Sequence, residues 1–109
     1  METTRYCYAL DLKPDPNLIA EYERYHEAVW PDIQESIRAT GIVSLEIYRT
    51  ENRLFMILEA GPEFSPERKA ALDTGNPRVQ EWEMLMWTYQ QALPWAKTGE
   101  KWVEMKRIY

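Results

Sequence analysis

Ile42-Val-Ser-Leu-Glu-Ile-Tyr-Arg-Thr50-Glu51-Asn52-Arg53-Leu-Phe-Met-Ile-Leu-Glu-Ala60 reads as two strands joined by a turn. Ile42 to Arg49 and Arg53 to Ala60 each carry a strand pattern, and the polar Thr50-Glu51-Asn52 between them is short enough for a β-hairpin. Strict alternation puts Glu46 on one face with Ile42, Ser44 and Tyr48, and Glu59 on one face with Phe55 and Ile57. Gly41 and Gly61-Pro62 punctuate the two ends of the hairpin.

N-terminal to the hairpin lies a helical pattern. Asp15-Pro16 joins a capping residue to a proline at the first helical position. Ile19, Tyr22, His26, Val29, Trp30, Ile33 and Ile37 then fall within an arc of roughly 100°, with Glu23, Arg24, Glu27, Gln34, Glu35 and Arg38 outside it. Pro31 has no N–H and its ring collides with the carbonyl four residues back, so a kink or break is predicted near Trp30. Further upstream, Arg5 to Leu12 alternates with Tyr6, Tyr8, Leu10 and Leu12 on one face, which is a strand.

C-terminal to the hairpin, Ser65-Pro66 and Asn76-Pro77 repeat the signal of a cap followed by proline, with Gly75 ending the first helix. The second helix carries Val79, Trp82, Met86, Tyr89 and Leu93 on one face and is predicted to run to Pro94. Lys101 to Tyr109 reads as a final, more polar strand at an edge or an interface. The order is β-α-β-β-α-β in one domain over residues 1–109. This predicts an α+β, ferredoxin-like fold: a four-stranded antiparallel sheet with its helices on one face. The other face stays bare in a monomer, so a homodimer is expected, with Tyr6, Tyr8, Trp102 and Tyr109 as its aromatic area.

Composition narrows the function classes. The chain carries 18 acidic against 13 basic residues, a net charge of −5, which argues against nucleic acid as a partner. One cysteine, Cys7, and one histidine give no zinc framework, and no metal site is expected. No apolar run reaches the roughly 18 residues of a membrane span, so no membrane partner is expected. Met1-Glu2-Thr3-Thr4-Arg5 lacks the basic-then-apolar pattern of a secretory signal, and a cytoplasmic protein is expected. Five Trp and seven Tyr in 109 residues suit an aromatic-walled site or an interface as well as a core.

His26 is the residue most able to carry chemistry. Tyr22 precedes it by one turn and Trp30 follows about one turn later, so a phenol, an imidazole and an indole line one side of the helix. An imidazole with an ordinary pKa near 6.5 both gives and takes a proton at neutral pH. Asp11, Glu46 and Glu59 are carboxylates in the strands, able to orient hydroxyls or the histidine, or to sit as solvated edge charges. Trp82 faces inward on the last helix, whereas Met84 and Trp87 point away from it. There is no phosphate loop, dinucleotide fingerprint or nucleophile elbow. These residues suit a neutral polyhydroxylated ligand and proton transfer by one acid/base group without a cofactor.

Glu21-Tyr22-Glu23-Arg24-Tyr25-His26-Glu27-Ala28-Val29-Trp30-Pro31 resembles the signature of the L-rhamnose mutarotase family. Gly41 leading into Glu46-Ile47-Tyr48, the strand Asn52 to Met56, and Trp82 in the helix before Pro94 extend the likeness over nearly the whole chain. The resemblance implies a dimeric α/β barrel that interconverts the α and β anomers of a 6-deoxy-hexose monosaccharide. It implies His26 as the catalytic acid/base, Tyr22 in contact with the sugar and Trp82 in the pocket wall. Trp30, Glu46 and Glu83 complete the expected set of sugar contacts. Leu45 stands where the rhamnose enzymes carry a tyrosine, and Trp82-Glu83 where they carry paired tryptophans. L-rhamnose, to which the family name attaches, is the first expected substrate, and these departures make L-fucose its rival. Readings of another class are a cofactor-free dimeric-barrel monooxygenase and a non-catalytic small-ligand-binding module.

Overall fold

A computed structural model describes residues 2–109. Strand β1 (Thr4–Leu12) is followed by helices α1 (Pro16–Glu27) and α2 (Pro31–Ala39), then by the hairpin β2 (Ile42–Thr50) and β3 (Arg53–Ala60). Helices α3 (Pro66–Thr74) and α4 (Pro77–Trp87) come next, and the short strands β4 (Gln90–Gln91) and β5 (Val103–Glu104) close the order. The caps are those the sequence announces. The Asp15 carboxylate accepts from the N–H groups of Asn17 and Leu18, Ser65 Oγ from Arg68, and Asn76 Oδ1 from Arg78 and Val79. Proline 31 splits the first helical region: α1 ends at Glu27 and Ala28 leaves helical backbone with φ −146°.

The sheet is antiparallel with the order β2-β3-β1-β4, and β5 also pairs with β1. The predicted fourth strand is thus shared between two short pieces beside β1, Gln90–Gln91 opposite Asp11–Leu12 and Val103–Glu104 opposite Tyr8–Ala9. Only two residues of the predicted strand Lys101 to Tyr109 are in the sheet, with Met105 N–H adding one bond to the Cys7 carbonyl. The last helix ends at Trp87 and not at Pro94. Thr88 and Tyr89 tighten into bonds with Leu85 and Met86, and the chain then joins the open edge of β1. Tyr89 and Leu93 are buried as expected, but from outside a helix.

Register assigns the two sheet faces. Tyr6, Tyr8, Leu10 and Leu12 share the helix side with Leu54, Met56, Leu58 and Ala60, and Leu45 and Ile47 join them from β2. The apolar core lies here, where Leu12, Leu54, Tyr22, Ile33, Val79, Trp82, Met86 and Tyr89 pack together. Cys7, Ala9, Asp11, Phe55, Ile57, Glu46 and Tyr48 occupy the outer face. Tyr6, Tyr8 and Trp102, expected at an interface, instead pack on the helix side against the second core cluster around Met56 and Leu58. On the outer face Arg53 grips the buried Asp11 through two bonds of 2.7 and 3.1 Å, with Trp95 stacked on its guanidinium.

Candidate active site

Helices α1 and α4 meet over the sheet at a cavity of about 160 Å³. His26 and Tyr22 come to it from α1, Trp82 and Glu83 from α4, Leu45 and Ile47 from β2. Tyr22, His26, Val29, Leu45 and Ile47 also line a wider cleft of about 650 Å³. The walls are mostly apolar, with a few polar groups converging on them, the usual make-up of a small-molecule site.

His26 is oriented by its own helix. Its Nδ1 lies 2.8 Å from the Tyr22 carbonyl oxygen, so Nδ1 carries the hydrogen and Nε2 is left as the basic nitrogen. The ring sits against two aromatics, 4.4 Å from Tyr22 and 5.7 Å from Trp82 between centroids. Burial pushes the His26 pKa below its ordinary value, and the bond to the Tyr22 carbonyl partly opposes this. The neutral imidazole is therefore the resting form at neutral pH. The Tyr22 phenol is pushed up to about 12 by burial, against the lowering effect of a bond from Gln90 Nε2 at 3.2 Å. It stays protonated and can donate.

The opposite wall is charged. Lys101 Nζ donates to the Glu83 carboxylate and to the Glu83 carbonyl at 3.3 Å, and lies 4.8 Å from the Trp87 ring. Lys69 and Asp73, one turn apart on α3, form a second ion pair bordering the cavity. Burial lowers the Lys101 pKa while the Glu83 carboxylate raises it. The cavity thus offers a ligand an imidazole, a phenol, an indole and two paired carboxylates. Among the described residues there is no group of three or more His, Cys, Asp or Glu placed to hold a metal.

Of the predicted residues, His26, Tyr22, Trp82 and Glu83 come together here. Trp30 does not. The break at Pro31 turns it off the α1 face, and it packs edge-on with Trp82 at 5.1 Å between centroids while the Arg78 guanidinium lies over its ring at 4.3 Å. Glu46 lies on the far side of the sheet. A bulge between Ile42 and Ser44 sends Ile42 inward while Glu46 stays with Ser44 and Tyr48 on the outer face, where the Tyr48 hydroxyl donates to it at 3.2 Å. Glu59 points outward to Arg5, and Asp11 to Arg53, so neither meets the histidine. Gln90, Lys101, Lys69 and Asp73 were not singled out from the sequence. Gln90 was hidden inside an over-extended helix, and the ion pairs join segments that the sequence pattern does not relate.

Residues 5–109 match the protein family described as L-rhamnose mutarotase. An L-fucose mutarotase from Xanthomonas campestris pv. campestris is 49% identical over all of this chain and 89% of its own length. An L-rhamnose mutarotase from Brucella anthropi is 32% identical over 69% of each chain. Among solved structures, an L-rhamnose mutarotase from Formosa agariphila superposes with a TM-score of 0.72 over 97% of this chain and 96% of its own, at 16% identity. Tetracenomycin F2 cyclase from Streptomyces glaucescens superposes at 0.59 over similar spans, at 17% identity, a likeness of fold alone. The match over residues 5–109 and the relative that is 49% identical over the whole chain agree with the fold and with the aromatic cavity: this chain belongs to the L-rhamnose mutarotase family and is a carbohydrate mutarotase.

Proposed function

We propose that this mutarotase acts on L-fucose ahead of L-rhamnose, with His26 as its acid/base, as a homodimer. The order of the sugars reverses the sequence-based expectation. The relative that is 49% identical over the whole chain is an L-fucose mutarotase, whereas the L-rhamnose mutarotase from Brucella anthropi is 32% identical over 69% of it. The observation that carries the mechanism is His26 Nε2, unprotonated because Nδ1 is held by a backbone carbonyl, on the wall of a cavity beside a protonated phenol.

Chemistry follows from these groups. Nε2 takes the proton of the anomeric hydroxyl as the bond between C1 and the ring oxygen breaks. The ring oxygen receives a proton, either returned by the imidazolium or passed on by the Tyr22 phenol. The open aldehyde turns about its C1–C2 bond and closes on the opposite face, with the same proton transfers reversed. General acid/base catalysis of this kind supplies roughly 10²–10⁴-fold, enough for a reaction that already runs slowly in water. Trp82 gives an apolar face for the sugar ring, and Glu83 an acceptor held in place by Lys101.

NMR exchange spectroscopy of equilibrated L-fucose and L-rhamnose, with and without protein, tests this directly. Faster exchange with the larger effect on L-fucose is expected. Loss of the acceleration in His26→Ala with an unchanged melting temperature places the proton transfer on His26. Wild-type exchange in that variant sinks the assignment.

A further inference from the structure

Gln90 opposes Leu12 in the short β4 ladder, so its side chain enters the helix side of the sheet and borders the cavity. It is 4% exposed, yet only one end of its amide is satisfied: Nε2 reaches the Tyr22 hydroxyl at 3.2 Å, while Oε1 is buried with no hydrogen-bond partner among the described residues. Exchanging the two ends of the amide still leaves one of them bare, because Tyr22 then donates to the oxygen and the nitrogen has no partner; only the orientation with Nε2 towards Tyr22 leaves the phenol its proton to donate onward. Buried polar groups are nearly always paired, and one that is not destabilises the fold that holds it. An apolar side chain of the same length serves the core better at this position. A half-satisfied amide bordering a cavity is instead suited to a ligand that supplies the missing bond.

We propose that Gln90 reads one hydroxyl of the bound deoxy-hexose with the open end of its amide, while its other end holds the Tyr22 phenol in place. A sugar hydroxyl suits either end, since it both donates and accepts. The chain Gln90–Tyr22–sugar is also cooperative: a phenol that accepts a bond donates its own proton more strongly. This makes Gln90 a specificity and positioning residue, two side chains removed from the imidazole. It rests on the proposal that the His26 cavity is the mutarotase site.

The test compares wild type, Gln90→Met and Gln90→Asn in anomer exchange of L-fucose and its 2-, 3- and 4-deoxy analogues, together with melting curves without sugar. Gln90→Met keeps the length of the side chain and removes both polar ends. It should raise KM for L-fucose about tenfold, with a smaller change in kcat, and should melt at or above the wild-type temperature. In wild type one of the deoxy analogues should lose about tenfold in kcat/KM, and in Gln90→Met that same analogue should lose almost nothing. Gln90→Asn withdraws the amide by one methylene and should show the same rise in KM should the methionine variant not fold. The proposal is overturned if every deoxy analogue loses the same factor in wild type and variant, or if both variants melt lower with KM unchanged. Absence of exchange by wild type on any of these sugars, or full activity in His26→Ala, instead overturns the site assignment on which it rests. An active wild type with an inactive His26→Ala and equal deoxy penalties removes Gln90 alone.

Discussion

His26, in the last turn of α1, is aimed by the bond from its Nδ1 to the carbonyl one turn back and is held neutral by burial, which outweighs the opposing effect of that bond. Its pKa is depressed by burial from the ordinary 6.5. As the proposed base it works only when unprotonated, so the acid limb of kcat/KM should have its midpoint below 6.5. An acid limb at or above 6.5 contradicts this. Stability carries the same sign. Below about pH 6.5 the unfolded histidine takes a proton that the folded ring still refuses, so the unfolded state binds more protons and stability drops until the folded value is passed. Melting temperatures recorded against pH should show that drop in wild type and lack it in His26→Gln. Under the proposed function, Glu83 and Leu45 are the residues placed to bias the choice of sugar. L-fucose and L-rhamnose differ in where their hydroxyls lie, and a carboxylate left without its hydroxyl costs about 1–3 kcal/mol, or one to two decades in rate. Glu83→Gln and Leu45→Tyr should therefore change the ratio of the two exchange rates more than their sum, and equal scaling of both rates discounts these positions.

At the level of the elements, the hairpin turn carries a cost that function does not require. β2 runs through Thr50, leaving Glu51-Asn52 as a two-residue loop, and Glu51 sits at φ +50°. A residue with a Cβ pays about 1–2 kcal/mol in this left-handed region, whereas glycine does not. The bond from Arg49 goes to the Glu51 carbonyl and survives substitution. Glu51→Gly should raise unfolding free energy by about 0.5–1 kcal/mol, visible as a higher urea midpoint at constant m-value, and leave anomer exchange unchanged. Gly41 obeys the same rule from the other side. It ends α2 at φ +97°, and an added Cβ comes within 2.8 Å of Glu63 Cγ.

The molecule as a whole has one sheet face covered by helices and one without them. Phe55, Ile57 and Ala9 form the apolar centre of the outer face, and Tyr48 and Trp95 remain 53% and 62% exposed. Bare sheet faces of this kind pair with a second copy, which supports the proposed homodimer. Light scattering at micromolar concentration should give twice 13.0 kDa. Ile57→Arg places a charge at the centre of that face and should shift the mass towards 13.0 kDa. A wild-type protein of monomer mass sinks the homodimer.

Local chemistry was enough for the helix starts, the break at Pro31, the hairpin and the helix-side core, because caps, prolines and apolar spacing act over a few residues. It was also enough to bring Tyr22, His26 and Trp82 to one place, since each lies on the inward stripe of its own helix. Three features needed the assembled fold. The bulge at Val43 reversed the face expected for Ile42, so that Glu46 is on the outer side, and no residue pattern marks a one-residue slip in pairing. Thr88 to Leu93 continued a helical stripe, but the open edge of β1 offered backbone partners, and a ladder gained there outweighed weak local preference. That switch is what carries Gln90 to the cavity. The Glu83–Lys101 pair joins residues 18 apart through a chain that enters the sheet at β4 and leaves it again, a distance in sequence over which spacing holds no information and only packing does.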